Sequence, residues 1–579
     1  MRGCVSYLEK LKKAENRKDL ARLLGFKPSA LASIVYQTPL ELKYTTFEIP
    51  KKSGGVRTIK APEPKLKKLQ THLAHWLYAC LAEIEETRNA TPVSYGFRKN
   101  GTITANAKAH KRRRYVLNLD LEDFFPTFNF GRVRGFFLKD KAFELEEEVA
   151  TTIAQIACDG EALPQGSPCS PVISELIGQI LDLRLLRFAK TVGVRYSRYA
   201  DDITFSTNQK NFPPALAQQD SADLSKWNLS DELVDKIEAS GFKINVGKTR
   251  MHLRGSRQMV TGLVVNEKVN IKSEYYRKAR AMCDSLFQTG QYYKTVIPAG
   301  EDNEEPTPDM TDNLNPLEGI LSHIYYVTQC EERRSVVEQR ENPRAIRVLY
   351  RRFLFYKHCV SPQAPLIITE GKTDPIYLKE AIKRRTDYHP RLGHPETDGF
   401  AFTTRFFNYR GQAHEIMDLG GGSGDLKSIP LDYLRNLGET KKDRKSFKYK
   451  PMAYPVILVV DNDDGLYPIA STVKKVFGVS ITQKSTADFY HVVENLYLVK
   501  TPESKESSCI EDMFPLKWLD FTLNGKKFSP KAKIDPETEY SKEVFANSVI
   551  KLNADKIDFS GFDPLLYRIA SVLDHFSAS

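Results

Sequence analysis

The stretch RYSRYADDITFS, residues 195–206, sets two adjacent aspartates, Asp201 and Asp202, inside a segment that otherwise reads as strands. Aspartate is disfavoured in strands, and neighbouring like charges repel. Either the pair marks a polar hairpin turn, where aspartate is common, or it is part of a divalent-metal site, because magnesium takes hard oxygen ligands. The metal reading needs another carboxylate elsewhere in the chain. YVLNLDLEDFFPTF, residues 115–128, supplies one: an apolar strand that ends at Asp120, followed by Glu122 and Asp123, which can also cap a helix. Between the two lies LPQGSPCSPVISELI, residues 163–177, a tight loop at Gly166 and its prolines that leads into a helix. Carboxylates on two converging strand segments can hold a pair of magnesium ions about 3.5–4 Å apart, one activating a 3′ hydroxyl and one holding a triphosphate.

The rest of the chain narrows the partner. With 579 residues there is room for more than one domain, and 41% hydrophobic against 27% charged residues allows sizeable cores. The net charge of +12 favours a polyanionic partner, nucleic acid before a membrane surface. No uninterrupted apolar stretch is long enough to span a bilayer. MRGCVSYLEKLKKAENRKDL at the N-terminus lacks a secretory apolar core and reads as an amphipathic helix. The eight cysteines are scattered without a Cys-x-x-Cys pair, so neither structural zinc nor a disulfide framework is indicated, and a cytoplasmic location with reduced thiols fits best.

IPAGEDNEEPTPDMTDNLNP, residues 297–316, is acidic and contains proline, and predicts a long surface loop or linker. Helical spacing then returns, and at SPQAPLIITEG the pattern changes to strands alternating with helical runs. A domain boundary is therefore expected near residue 360, with 1–360 and 361–579 on either side and a parallel α/β sheet in the second part.

YADD at residues 199–202, NLDLEDFF and LPQGSPCSP, in that order and spacing, resemble the palm of a reverse transcriptase. NAKAH, residues 106–110, matches the Asn-Ala-x-x-His motif of the retron branch, and Val260-Thr261-Gly262 its Val-Thr-Gly motif. FEIPKKSGGVRTIKAP, residues 47–62, resembles the family's fingers, so that the resemblance spans roughly residues 20–355. Ser174 departs from the asparagine that many relatives carry. The resemblance implies a right-hand polymerase of fingers, palm and helical thumb. It assigns Asp120, Asp201 and Asp202 to catalysis and to magnesium. Arg57 would contact the phosphates of an incoming deoxynucleoside triphosphate, and Gln165 would position that nucleotide. Phe125 would lie under its sugar and exclude a 2′-OH, and Lys248 would approach the leaving pyrophosphate. RNA contacts are expected from Asn106, His110, Arg112, Arg113, Val260, Thr261 and Gly262. The basic run KAHKRRRY, with Lys108, Lys111 and Arg114, suits phosphate contact, although such runs are usually solvated faces. The implied partner is a cognate noncoding RNA, primed from an internal guanosine 2′-OH. The implied product is a multicopy single-stranded DNA joined to that RNA by a 2′,5′ bond.

The second part carries its own acidic pattern. LIITEGKTD, residues 366–374, ends a strand at Glu370, and Thr373 or Asp374 can cap a helix beginning at Pro375. MDLGGGSGDLKSI, residues 417–429, is a glycine-rich turn. YPVILVVDNDDG, residues 454–465, is an apolar strand ending in Asp461-Asn462-Asp463, and carboxylates at the C-terminal ends of parallel strands face the usual ligand crevice. Glu370, Asp461 and Asp463 in this order resemble the Toprim domain, a Rossmann-like α/β module of topoisomerases, primases and overcoming-lysogenization-defect nucleases, over about residues 362–500. The resemblance implies Glu370 as general acid/base or metal ligand and Asp461 and Asp463 as magnesium ligands. Asp374 is an accessory ligand or a helix cap. Glu511, Asp512 and Lys542, in CIEDMF and YSKEVFANSVI, are accessory residues or surface charges. With no zinc module and no strand-passage apparatus, the nuclease branch fits best.

The whole is thus read as a retron reverse transcriptase fused to a Toprim nuclease effector of antiphage defence, acting on a target nucleic acid, with a homo-oligomeric state left open. The competing readings are a Toprim part that only binds or assembles, and a group II intron-type reverse transcriptase.

Overall fold

Alternating apolar residues at Leu117, Leu119 and Leu121 require a buried sheet face, and the strand Tyr115–Asp120 forms in the middle of one. The computed structural model describes residues 6–51, 55–88, 92–224, 226–295, 308–409, 411–420, 422–438, 446–503, 507–531 and 533–578. The chain divides into two compact units. The first comprises Met1–Tyr275, Thr295–Thr307 and Val327–Glu332. The second comprises Tyr276–Lys294, Pro308–Tyr326 and Arg333–Ser579.

In the first unit a four-stranded antiparallel sheet runs in the order Arg195–Tyr199, Asp202–Thr207, Tyr115–Asp120, Arg250–Leu253. The helix Ser170–Thr191 buries Val172, Ile173, Leu176, Ile177, Leu181 and Leu185 in the same core as Leu117, Leu119 and Phe205. A separate ribbon pairs Tyr44–Pro50 with Val56–Pro62, joined to the loop before that helix by Lys60 N–H donating to the Gln165 carbonyl at 2.8 Å. Gly166, at φ +120°, permits this approach: a Cβ there would lie 2.7 Å from the Lys60 carbonyl oxygen. The N-terminal segment forms two short helices, Tyr7–Lys12 and Arg17–Leu23, rather than the one expected. Asn16 interrupts it, its side chain accepting from the backbone of Lys18 and Asp19 and so capping the second helix.

The second unit holds a five-stranded sheet in the order Arg405–Phe406, Leu366–Thr369, Val456–Val460, Leu496–Lys500, Tyr490–Val493. The first four strands are parallel and the last is antiparallel. Every residue of Leu366–Thr369 and Val456–Val460 is buried, as expected for central parallel strands covered on both faces. The expected boundary near residue 360 falls inside this unit. Phe287 and Tyr356 both pack on Phe447, at ring-centroid distances of 4.5 and 5.4 Å, and so tie helix Ser273–Thr289 and the segment before residue 360 to the second unit. Of the expected loop at 297–316, residues 297–307 lie outside the described residues, while Pro308–Thr311 is a strand and a helix starts at Leu314. Among the described residues, no helix is long and apolar enough to cross a membrane, and seven cysteines are free thiols.

Candidate functional site

Strand register builds the first site. Asp120 stands directly opposite Asp202, and Tyr199 opposite Asp202 on the other side. Asp201 occupies the turn, held by Leu121 N–H donating to its carbonyl at 3.0 Å. Residues opposite one another in a sheet have Cβ atoms about 4.5–5.5 Å apart, so the three carboxylates share one sheet end. Burial raises the pKa of Asp201, and burial with Asp201 and Asp120 nearby pushes Asp202 up to about 7. Lys248 Nζ donates to Asp120 Oδ1 at 2.9 Å, a bond that raises the lysine pKa, and Arg57 lies close enough to act on Asp201. Hard oxygen donors short of positive charge are the donor set that magnesium fits. As they stand, however, no three His, Cys, Asp or Glu side chains among the described residues are gathered closely enough to hold an ion.

These residues line an open cavity of about 1160 Å³, which takes in Asp120 and Asp201 together with Arg57, Phe125, Gln165 and Lys248. Arg57 is exposed on the ribbon, opposite Ile49. Phe125 is half-buried against Phe97 and Phe124, at 5.8 and 5.5 Å, so it both packs and faces the cavity. Ser174 is buried and turns its hydroxyl back to the Pro171 carbonyl at 2.9 Å.

The residues expected to touch RNA separate into two groups. Asn106, His110 and Val260 are buried, which corrects the expectation for all three. His110 bonds Ser206 Oγ through Nδ1 and Ser197 Oγ through Nε2, each at 2.7 Å, and Ser197 Oγ donates to Asn106 Oδ1 at 2.5 Å. The motif therefore clamps helix Ile103–Ala109 onto the sheet. Burial, with Arg195 and Arg113 nearby, pushes the His110 pKa down to about 3, so the ring is neutral. Thr261 and Gly262, at φ +45° and +79°, form the two-residue turn between Met259–Val260 and Leu263–Val264. The Thr261 hydroxyl donates to the Ile103 carbonyl at 3.1 Å, which joins this turn to the same helix. Of the group, Arg112 and Gly262 are exposed, and Arg113 and Thr261 are half-buried.

The second site gathers at the C-terminal ends of two adjacent parallel strands. Glu370 follows Leu366–Thr369, and its Oε2 accepts from Asp461 N–H at 3.3 Å. Asp461 Oδ1 accepts from Ile510 N–H at 2.9 Å, which brings in the turn Ile510–Met513. Asp463 lies just beyond and caps Gly465 N–H at 2.7 Å. Thr373 makes no cap bond, and Asp374 is not a helix cap: it is buried and accepts from Gly371 N–H at 2.7 Å. Glu511 is only 2% exposed and pairs with Lys542 Nζ at 2.9 Å, so Glu511 is not a surface charge. Asp512 caps the Cys509 N–H at 2.9 Å instead. Burial, then the neighbouring carboxylates, push Asp461 up to about 9 and Asp374 up to about 7. The glycine-rich turn reaches this site through Gly422 N–H, which donates to the Glu370 carbonyl at 3.3 Å.

Sequence reasoning passed over one further group, the buried Arg198, Glu175 and Asp182 behind the aspartate turn. Glu175 and Asp182 inside a largely apolar helix are its sequence signal, while Arg198 sits unmarked in the polar strand RYSRY.

Comparison with known proteins bears on the first unit. A family model described as reverse transcriptase (RNA-dependent DNA polymerase) matches residues 49–271. The chain is 33% identical over 286 residues to the Retron Mx65 reverse transcriptase of Myxococcus xanthus, a match covering 46% of this chain and 61% of that one. It is 32% identical over 273 residues to the Retron Ec86 reverse transcriptase of Escherichia coli, covering 47% and 78%. Among solved structures, apo telomerase from Candida tropicalis aligns at 14% identity and a TM-score of 0.30, over 54% of this chain and 57% of that one, too distant to bear on the site.

Proposed function

Because the chain belongs to the retron reverse transcriptase family, we propose that its first unit is an RNA-directed DNA polymerase that copies a cognate noncoding RNA into branched single-stranded DNA. The observation that supports this is the register that sets Asp120 opposite Asp202, with Asp201 in the turn just before Asp202 and both Asp120 and Asp201 on the wall of the cavity. Asp120, Asp201 and Asp202 would hold magnesium, which when bound supplies the charge that activates a 3′ hydroxyl and steadies a triphosphate. Lys248, already at Asp120, offers a cation to the departing pyrophosphate. Arg57, on the exposed ribbon, is free to swing to the phosphates, and Gln165 is fixed beside that ribbon by its carbonyl bond to Lys60. Phe125, backed by Phe97, is too firmly packed to yield to a 2′-OH. Arg112, exposed and held at its Nε by the Glu267 carbonyl, is the phosphate contact that the basic run would offer to RNA.

For the second unit we infer a Toprim nuclease that serves as the effector of an antiphage module, restrained by the polymerase and its DNA. The reading is supported by Glu370 and Asp461 at neighbouring parallel strand ends and by the chemistry of the donor set, carboxylates short of positive charge. Glu370, Asp461 and Asp463 would hold magnesium, with Asp374, Glu511 and Lys542 around them. The test is purification of the full chain with its bound nucleic acid from cells carrying the wild type or Asp201→Asn. A branched RNA–DNA species that is present with the wild type and absent with the variant supports the polymerase reading, and equal yields from both overturn it.

A further inference from the structure

Behind the aspartate turn lies a charged cluster that does not line the cavity. Arg198, in the strand leading to the turn, is 0% exposed. Its Nε and Nη2 grip Asp182 at 2.8 and 2.7 Å, and Nη2 also reaches Glu175 Oε2 at 3.0 Å. Glu175 accepts in addition from Ser94 Oγ at 2.8 Å and Arg98 Nη1 at 3.1 Å, and Asp182 from the Tyr196 hydroxyl at 2.7 Å. The remaining nitrogen, Nη1, donates to the Ala200 carbonyl at 3.1 Å. Ala200 immediately precedes Asp201 and sits at φ +55°, a region that a residue bearing a Cβ seldom adopts.

Stability alone does not account for such a cluster. Buried ion pairs are often no more stabilising than apolar side chains of the same volume, because both charges must leave water. The geometry points to another use. We propose that Arg198 is a positioning residue for polymerisation: its guanidinium, anchored by Asp182 and Glu175, fixes the Ala200 carbonyl and so sets the direction in which Asp201 and Asp202 leave the hairpin. The proposal rests on the polymerase reading of the first unit.

Two glycines fit this role. Gly96 lies against the turn, where a Cβ would come 2.4 Å from Ala200 N. Gly178 sits inside helix Ser170–Thr191, where glycine costs about 1 kcal/mol relative to alanine. A Cβ at Gly178 would lie 2.7 Å from Arg198 Nη2, so the helix leaves that space to the guanidinium. Lysine cannot replace arginine here, because one ammonium cannot both grip Asp182 side-on and reach the Ala200 carbonyl.

The experiment is single-nucleotide incorporation on a primed RNA template by the full chain, with active sites titrated so that only folded enzyme is counted. Arg198→Lys should lower kcat about 10- to 100-fold, as misplacement of reacting groups by about 1 Å does, while KM for the deoxynucleotide stays within about twofold. Gly178→Ala keeps every charge and favours the helix intrinsically, and it should lower kcat in the same way by displacing the guanidinium. The double variant should lose no more than Arg198→Lys alone, because both changes act on one group. Wild-type kcat in either titrated single variant, or a rise confined to KM, overturns the proposal. A wild-type chain that incorporates nothing overturns the polymerase reading itself.

Discussion

The first unit assembles its carboxylates across antiparallel strands, and the second collects them at the ends of parallel ones. In the first, Asp120 meets the exposed ammonium of Lys248, and the most perturbed carboxyl, Asp202, is pushed up to about 7. In the second, Glu370, Asp374 and Glu511 crowd Asp461, which reaches about 9, while Lys542 pairs with Glu511. An antiparallel register leaves the sheet end open, so water and a lysine can relieve the repulsion. At the parallel strand ends Ile510–Met513 and Gly422 close in on Asp461 and Glu370, and Lys542, paired with Glu511, leaves burial and the neighbouring carboxylates to raise Asp461 and Asp374.

Exchanging the lesions between the two sites gives the largest expected effects. Asp120→Asn or Asp201→Asn should cut DNA synthesis by about 10²–10³-fold or more, the usual loss when one transition-state electrostatic partner is removed, as read by primer extension. Glu370→Ala or Asp461→Ala should leave that synthesis unchanged and abolish nucleolysis and protection in a phage-plating assay. Full protection with normal DNA yield in both variants would reduce the second unit to an idle module. A smaller effect belongs to the first unit alone. Phe125→Ala should relax discrimination against ribonucleotides by about 10- to 100-fold, within the range that steric pockets achieve, and unchanged discrimination would make Phe125 a packing residue only.

Smaller again is the effect of loosening the first unit without touching either carboxylate group. His110→Phe leaves Ser206 without its partner and should cost about 2–3 kcal/mol, seen in denaturant unfolding as a shift of the first unit's transition only. A shift of both transitions would show that the units melt together. Per pH unit, the smallest effect is a slope in stability. The folded-state pKa of His110, about 3, lies below the ordinary 6.5, so between these values the unfolded chain binds the extra proton. Stability is therefore lost as pH falls below 6.5, by up to about 1.4 kcal/mol per pH unit from this residue. His110→Gln should flatten that acid limb, and an unchanged slope would mean that the ring is charged in the fold.

Much of both sites can be read from sequence, because their residues break local rules. Asp120, Asp201, Glu370 and Asp461 each end an apolar run or sit inside a strand pattern, where a carboxylate needs a reason to stay. His110 and Asn106 break no such rule. They sit in or just before a basic run that reads as solvated, and only Ser197 and Ser206, far along the chain, turn the histidine inward. Asp374 misleads in the opposite sense: its place before a helix looks like a cap, yet the side chain turns back to Gly371. The boundary near residue 360 follows a true change of pattern, but amphipathic helices do not declare which core they cover, and Phe447 decides that for Phe287 and Tyr356.

The chain path has a consequence for inheritance. The segments Tyr276–Lys294 and Pro308–Tyr326 belong to the second unit, and Val327–Glu332 returns to the first. A single recombination breakpoint near residue 360 would therefore part Phe287 and Tyr356 from the Phe447 they pack against, leaving their aromatic faces bare in one descendant and missing in the other. Exchange of the second unit between genes needs a donor that brings the matching helices from before the breakpoint as well. The second unit should accordingly travel through gene transfer only together with those helices.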